Sequence, residues 1–314
     1  MFAILKSQCL RATHWKYLND AREMNHFSER LPSLIQPELI RRANNLAEVN
    51  EMAKQYLAEN GGVAEVCSEE ARGLSNSMCE TLLNPDPKEL LFEFYVTSFC
   101  TPDEAYAEVR NHGLLSQWRY YGEHGGYALV FDTLKLEELI GQEHAQWGGR
   151  LSCGEVGYSS DPIDVLVKKV GSIPEFLDAF SRCHFASPEE CAPLLEPLMS
   201  CCIHYKHWAF SEEREVRLVS VLNSARMNFE HLEASTPVLE RERHYFKRQA
   251  DPTEVPHIRI FEGLQHDRPC LLPIRRIIVG PGSNQKQREK ALNDFLGTVS
   301  YDIEVTLANI PIRF

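Results

Sequence analysis

One short run constrains this chain more than any other: Phe210-Ser211-Glu212-Glu213-Arg214-Glu215-Val216-Arg217-Leu218-Val219-Ser220-Val221. Its alternating side chains, with β-branched and long apolar residues in one phase, predict a strand. In that register Val216 and Leu218 face one way, and Glu213, Glu215 and Arg217 face the other. Two carboxylates two residues apart on one sheet face repel each other, and strand propensity gives no reason for them. Arg217, next in the row, partly neutralises the pair and holds one carboxylate in place. Two readings follow. The row is a solvated edge-strand face, or it lines a pocket where positive charge develops on a sugar during catalysis.

The chain has 314 residues, enough to bury a sizeable core as one large domain or two small ones. Its net charge of -12 argues against a general binder of nucleic-acid backbones, which needs basic stripes to displace counterions. A small anion held by a few local arginines remains compatible with it. The ten cysteines include no C-x-x-C pair, and Met1 to Leu10 has the charge and length of no secretory signal. No run approaches a membrane-spanning length. Reduced thiols in a cytoplasmic protein, with no membrane association and no metal, are the expectation.

Punctuation residues divide the chain into elements. Phe2 to Leu5 reads as the end of a helix, Cys9 to Thr13 as a short strand, and Tyr17 to Asp20 as a turn. Helices are expected over about Pro37 to Asn60 and Val63 to Leu83, the first closed by Gly61-Gly62. Leu90 to Cys100 reads as a buried strand, Ala105 to Tyr121 as a helix and Tyr127 to Phe131 as a strand. A short helix at Leu134 to Ile140 and a strand at Arg150 to Tyr158 follow. Residues from Ile163 to Trp208 read as helical pieces. A polar insertion with a basic run, Arg241 to Arg248, is expected over about 223–256, outside the central sheet. Strands at His257 to Phe261, Ile274 to Val279 and Tyr301 to Thr306 close the chain, with a helix at Gln285 to Leu296 between the last two. The sum is one α+β domain over 1–314, with a helical insertion at about 33–84.

Other candidate motifs carry bland and functional readings side by side. Thr97-Ser98 ends a strand either by bonding its own backbone or by bracing a carboxylate at a pocket rim. Trp118, Tyr120 and Tyr121 pack in a core or stack on a flat heterocycle. Gly280-Pro281-Gly282 before a helix could offer N–H groups to a phosphate, but it lacks the lysine and spacing of a P-loop. The cysteines and histidines between Cys183 and His207 lack the paired spacing zinc requires, which favours buried thiols. No nucleophile elbow is present.

Taken in order, several segments resemble an uncharacterised bacterial domain family that carries a domain-of-unknown-function label. They are Ile4 to Ser7 with Leu10 to Thr13, Leu18-Asn19-Asp20 with Glu23, Thr97-Ser98-Phe99, and Trp118 with Tyr121 and Gly126 to Asp132. Lys206, Phe210, Glu213, Glu215 and Arg217 follow, then Ile277 to Gly282 and Ile310 to Arg313. More distantly the pattern is similar to ADP-ribosyltransferases. These carry a histidine or arginine on a first strand, a Ser-Thr-Ser-like strand and a Glu-x-Glu strand.

That resemblance implies a split mixed sheet with helical insertions and NAD as substrate. It implies Glu215 as the carboxylate that stabilises the sugar cation, Glu213 as the residue that orients an acceptor, and Ser98 as the brace of Glu215. Thr97, Tyr121, Arg11, Asn19 and Arg217 join Ser98 as NAD contacts. The acceptor would be protein or nucleic acid, in a bacterial conflict, anti-phage or stress setting. A catalytically inactive module of the same fold, or an NAD glycohydrolase, fits the same residues. Relatives usually carry a His-Tyr-Thr strand before the helix at Ile4-Leu5. Its absence implies either that the true start lies upstream or that an NAD ligand is lost, with a bared sheet edge and Arg11 as a weak substitute. Cys100 stands where a second serine is usual.

Overall fold

Eleven strands organise the described part of the chain: β1 (Leu10–His14), β2 (Phe92–Cys100), β3 (Tyr127–Phe131), β4 (Leu151–Glu155), β5 (Gly157–Ser159), β6 (Tyr205–His207), β7 (Glu215–Asn223), β8 (His244–Arg248), β9 (Asp251–Ile260), β10 (Ile274–Val279) and β11 (Glu304–Leu307). The computed structural model describes residues 1–18, 22–83, 92–101, 107–122, 125–147, 151–161, 164–165, 172–183, 203–223, 241–248, 251–264, 271–299 and 301–311. A six-stranded antiparallel sheet runs β4-β7-β2-β1-β9-β8, and a three-stranded mixed sheet runs β11-β10-β3. β5 and β6 form a third, parallel pair. The chain is thus of the α+β class.

Alternation along β2 and β7 gives the large sheet two different faces. Phe94, Val96 and Val219 pack under helices from Arg22–Val49, Val63–Leu83 and Ile173–Cys183, through Leu31, Ile35, Met78 and Phe176. Burying each such side chain contributes roughly 1.5–3 kcal/mol. Tyr95, Leu218 and Leu222 point the other way, into a core shared with Ile277 and Val279 of β10 and Leu292 of the Gln285–Val299 helix. On β1, Leu10 and Ala12 join that second core. Arg11, between them, therefore lies on the same face as Val96 and Val219.

Several boundaries differ from the sequence reading. The first long helix begins at Arg22 and contains Pro32 and Pro37; it ends at Val49, where Asn50 turns extended and its side chain caps Glu51–Glu59. Gly113, at φ +78, breaks the expected Ala105 to Tyr121 helix into Ala107–His112 and Leu115–Tyr121. The expected strand at 150–158 divides at Val156 between two sheets.

The largest correction concerns 223–256. From His244 onward this stretch is sheet, because β8 and β9 pair with each other and β9 pairs with β1. β9 thus starts at Asp251, ahead of the strand expected at His257 to Phe261, and runs on into it. β1 is accordingly an internal strand between β2 and β9, so no bare edge lies beside it. Residues 224–240 lie outside the described residues. Among the described residues no helix is long and apolar enough to cross a membrane.

Candidate functional site

β7 begins one step later than the alternation suggests. Trp208–Glu213 is a short 3-10 helix, and Arg214 then takes the left-handed conformation at φ 42 before the strand opens at Glu215. Glu213 is therefore not in the strand row. It meets Glu215 through a third residue instead. Lys206, at the centre of β6, donates to Glu213 Oε2 at 2.7 Å and to Glu215 Oε2 at 3.3 Å, with its ammonium 4.8 Å from the centre of the Phe210 ring. One cation thus holds both carboxylates.

Arg217 completes the clamp. Its Nε donates to Glu215 Oε1 at 2.7 Å and its Nη2 to Glu215 Oε2 at 3.1 Å, a two-point contact that fixes the carboxylate plane. Nη1 donates to the Ile203 carbonyl. Glu215 and Arg217 are 5 % and 3 % exposed, so this is a buried ion cluster. Burial pushes the Glu215 carboxyl up, but Arg217, the Ser98 hydroxyl and Lys206 outweigh it and hold the group below its ordinary value. Glu215 is ionised at neutral pH. Its backbone N–H donates to the Tyr158 hydroxyl oxygen at 2.7 Å. Burial pushes that phenol up to about 12, so it stays protonated.

Register decides what stands beside the clamp. Ser98 pairs with Arg217 and Cys100 with Glu215. On the other side β1 pairs Thr13 with Val96, and two residues further along the same antiparallel register Arg11 stands opposite Ser98. Arg11, Ser98 and Arg217 thus form one lateral row on one face of three neighbouring strands. The Arg11 guanidinium lies 4.4 Å from the Phe246 ring centre and has no carboxylate partner among the described residues. Burial, then the neighbouring Arg259, lowers its pKa from the ordinary value. On β4, Gly154 pairs with Arg217, and a Cβ there would meet the His204 ring at 2.7 Å. Only glycine lets that imidazole lie against the sheet next to the arginine. Cys100 is exposed at the strand end; partial desolvation by its neighbours, then Glu213 and Glu215, push the thiol up to about 11, which makes it a poor nucleophile.

Two expected contacts lie elsewhere. The Thr97 hydroxyl donates to the Arg11 carbonyl at 2.9 Å, but its strand position faces away from Glu215. Thr97 and Tyr121 both line a cavity of about 860 Å³ that Ser98 and Cys100 also border but whose walls include neither Glu213 nor Glu215. Asn19 lies outside the described residues. Trp118 is core, with its indole N–H donating to the His112 carbonyl at 2.7 Å, while Tyr120 is exposed. The Gly280 and Pro281 carbonyls accept from the Arg288 guanidinium, so this turn clasps a cation. Sequence reasoning missed Tyr158, His204 and Gly154. Only a glycine interrupting the expected strand at 150–158 hinted at the last.

Residues 117–218 match the model of a family described as protein of unknown function (DUF2971). Over that stretch, which takes in Lys206, Glu213, Glu215 and Arg217, the chain fits an uncharacterised domain family. No curated protein and no solved structure matches.

Proposed function

We propose that the chain is an ADP-ribosyltransferase-like enzyme that cleaves the nicotinamide–ribose bond of NAD beside Glu215. The observation that carries this reading is the row of Arg11, Ser98 and Arg217 across three adjacent strands, with Glu215 at its edge. Of the elements the resemblance calls for, β2 supplies the serine strand and the entry to β7 the Glu-x-Glu segment, while Arg11 on the neighbouring β1 would stand in, as a weak substitute, for the missing first-strand residue.

The chemistry suits the groups. The C1′–N bond of NAD breaks, its electron pair leaves with the nicotinamide ring, and positive charge develops on C1′ and the ring oxygen. A fixed carboxylate beside that carbon stabilises the cation, as in glycoside cleavage. Arg217 and Ser98 hold Glu215 in one orientation, and ribose hydroxyls take the place of the 3.3 Å Lys206 contact. Arg11 meets the anionic part of the substrate. Glu213, with its side chain 18 % exposed, orients the incoming water or macromolecular nucleophile, which gives up a proton as it adds to C1′. A role in bacterial conflict or stress response belongs to the same proposal.

One observation favours a second reading, a non-catalytic binding module. The Glu215 charge is already met by two cations and a hydroxyl in a buried setting. Nicotinamide release from NAD separates the two. The enzyme reading expects release by the wild type, a loss of about two or more powers of ten in Glu215→Gln, and a Glu215→Gln protein that still folds by circular dichroism. Equal release by both proteins would mean that the activity lies elsewhere in the chain, and none by either gives the second reading. Release with water alone as acceptor would mark an NAD glycohydrolase.

A further inference from the structure

The cavity that Thr97 and Tyr121 share lies between the two larger sheets. β3 is the end strand of its sheet, so its outer edge pairs with no strand among the described residues. The cavity borders that edge and extends to both sides of it, touching Leu129 and Phe131 as well as Ala128 and Val130. Its far wall is the opposite face of the large sheet, at Phe99, Val216 and Leu218. Helices Leu115–Tyr121 and Thr133–Gln146 close it through Trp118, Leu136 and Ile140.

A second observation is independent of the cavity's outline. Tyr127-Ala128-Leu129-Val130-Phe131 is as apolar a strand as the chain contains, yet every one of its residues is only half-buried. The corresponding residues of its neighbour β10, Ile277, Ile278 and Val279, are buried. Apolar side chains facing unfilled space lose dispersion contacts. A volume of about 860 Å³ falls in the range of small-molecule sites.

We infer that this cavity is a binding site for a flat, uncharged, ring-bearing small molecule; Ser98 and Cys100, which stand beside the carboxylate site, also line it. The apolar walls accept the faces of a ring system. The free β3 edge supplies backbone N–H and C=O groups for donors and acceptors on the ring's rim, because a strand edge without a partner leaves these groups open. Arg110, Glu137 and Glu155 also border the cavity. Their mixed signs, with the acids in excess, disfavour an anionic ligand.

The test uses the full-length protein and Nile red, a planar uncharged dye whose emission moves to the blue in apolar surroundings. Saturable one-to-one binding with a blue shift is expected for the wild type. Leu136→Trp, which fills the cavity from the helix side, should weaken binding at least tenfold with unchanged circular dichroism. Val130→Phe fills it from the β3 side and gives the same readout should the first variant fail to fold. Absent or unsaturable dye binding, or equal binding by a folded filled variant, would overturn the assignment.

Discussion

Lys206 reaches Glu213 across 2.7 Å, from the middle of β6 to the last residue of the 3-10 helix that follows it. The contact bends seven residues of chain back onto themselves and leaves the same ammonium within 3.3 Å of Glu215. Removing the cation would leave two carboxylates facing each other over a buried gap. Lys206→Met should therefore destabilise the fold by about 3 kcal/mol, the scale of a broken buried ion pair. Adding Glu213→Gln to it should restore part of that loss. Urea melts of the single and double variants measure both. A Lys206→Met protein as stable as the wild type would mean that the cluster is solvated.

Acid should act on Glu215 in a defined window. Its folded-state pKa lies below the ordinary value of 4.5, so the stability it contributes is present above that value and is lost as pH falls through the folded value. Glu215→Gln should accordingly show a flatter loss of stability below pH 4.5 than the wild type. Parallel curves for the two proteins would contradict the assignment.

At milder pH two imidazoles set the slope. Burial, opposed at His14 by Glu93, holds both His14 and His257 down to about 4 from 6.5. The unfolded chain takes up protons at these rings below 6.5 and the folded chain does not until about 4, so stability falls across that interval. His257→Gln should reduce the decline between pH 6.5 and 5, where carboxylates contribute little. Melting temperatures taken across that range test it.

Arg241 stacks over Trp147 at 4.4 Å and pairs with Glu143, which is fully buried. Burial pushes the Glu143 carboxyl up, and Arg241 and the Phe261 N–H oppose that shift. Arg241→Ala should cost about 3–5 kcal/mol by stranding the carboxylate. Arg241→Ala combined with Glu143→Leu should recover most of it, as denaturant titration would show.

Gly125 has a φ of +103, and a Cβ there would meet the Arg288 guanidinium at 2.2 Å. Gly125→Ala should therefore destabilise by more than about 1 kcal/mol. Arg288→Ala in the same chain should relieve the steric part and leave the backbone strain. Additive losses in the double variant would show that the two residues do not touch.

Local order was the legible part of the sequence. The Val63–Leu83 helix and the strands Tyr127–Phe131 and Ile274–Val279 stand where periodicity and turn residues put them, since short-range propensity decides them. The Glu215–Arg217 pair was legible for the same reason. Lys206 between two glutamates was not, because its reach depends on β6 leaving a region that reads as helix. β8 and the first half of β9 were hidden in the same way, because their pattern mixes charge with apolar residues and only sheet pairing makes strands of them, whereas the second half of β9 falls in the strand expected at His257 to Phe261. Arg11 looked marginal because no sequence rule sets β1 beside β2.

β1 joins segments far apart in time as well as in sequence. Leu10 leaves the ribosome long before its partner Ile260 is made. Until then one side of an apolar strand has no neighbour, and the long loop between the partners makes their pairing a slow, late event. The growing chain must shelter that edge throughout synthesis, and a product cut short before β9 would carry it permanently open to other chains.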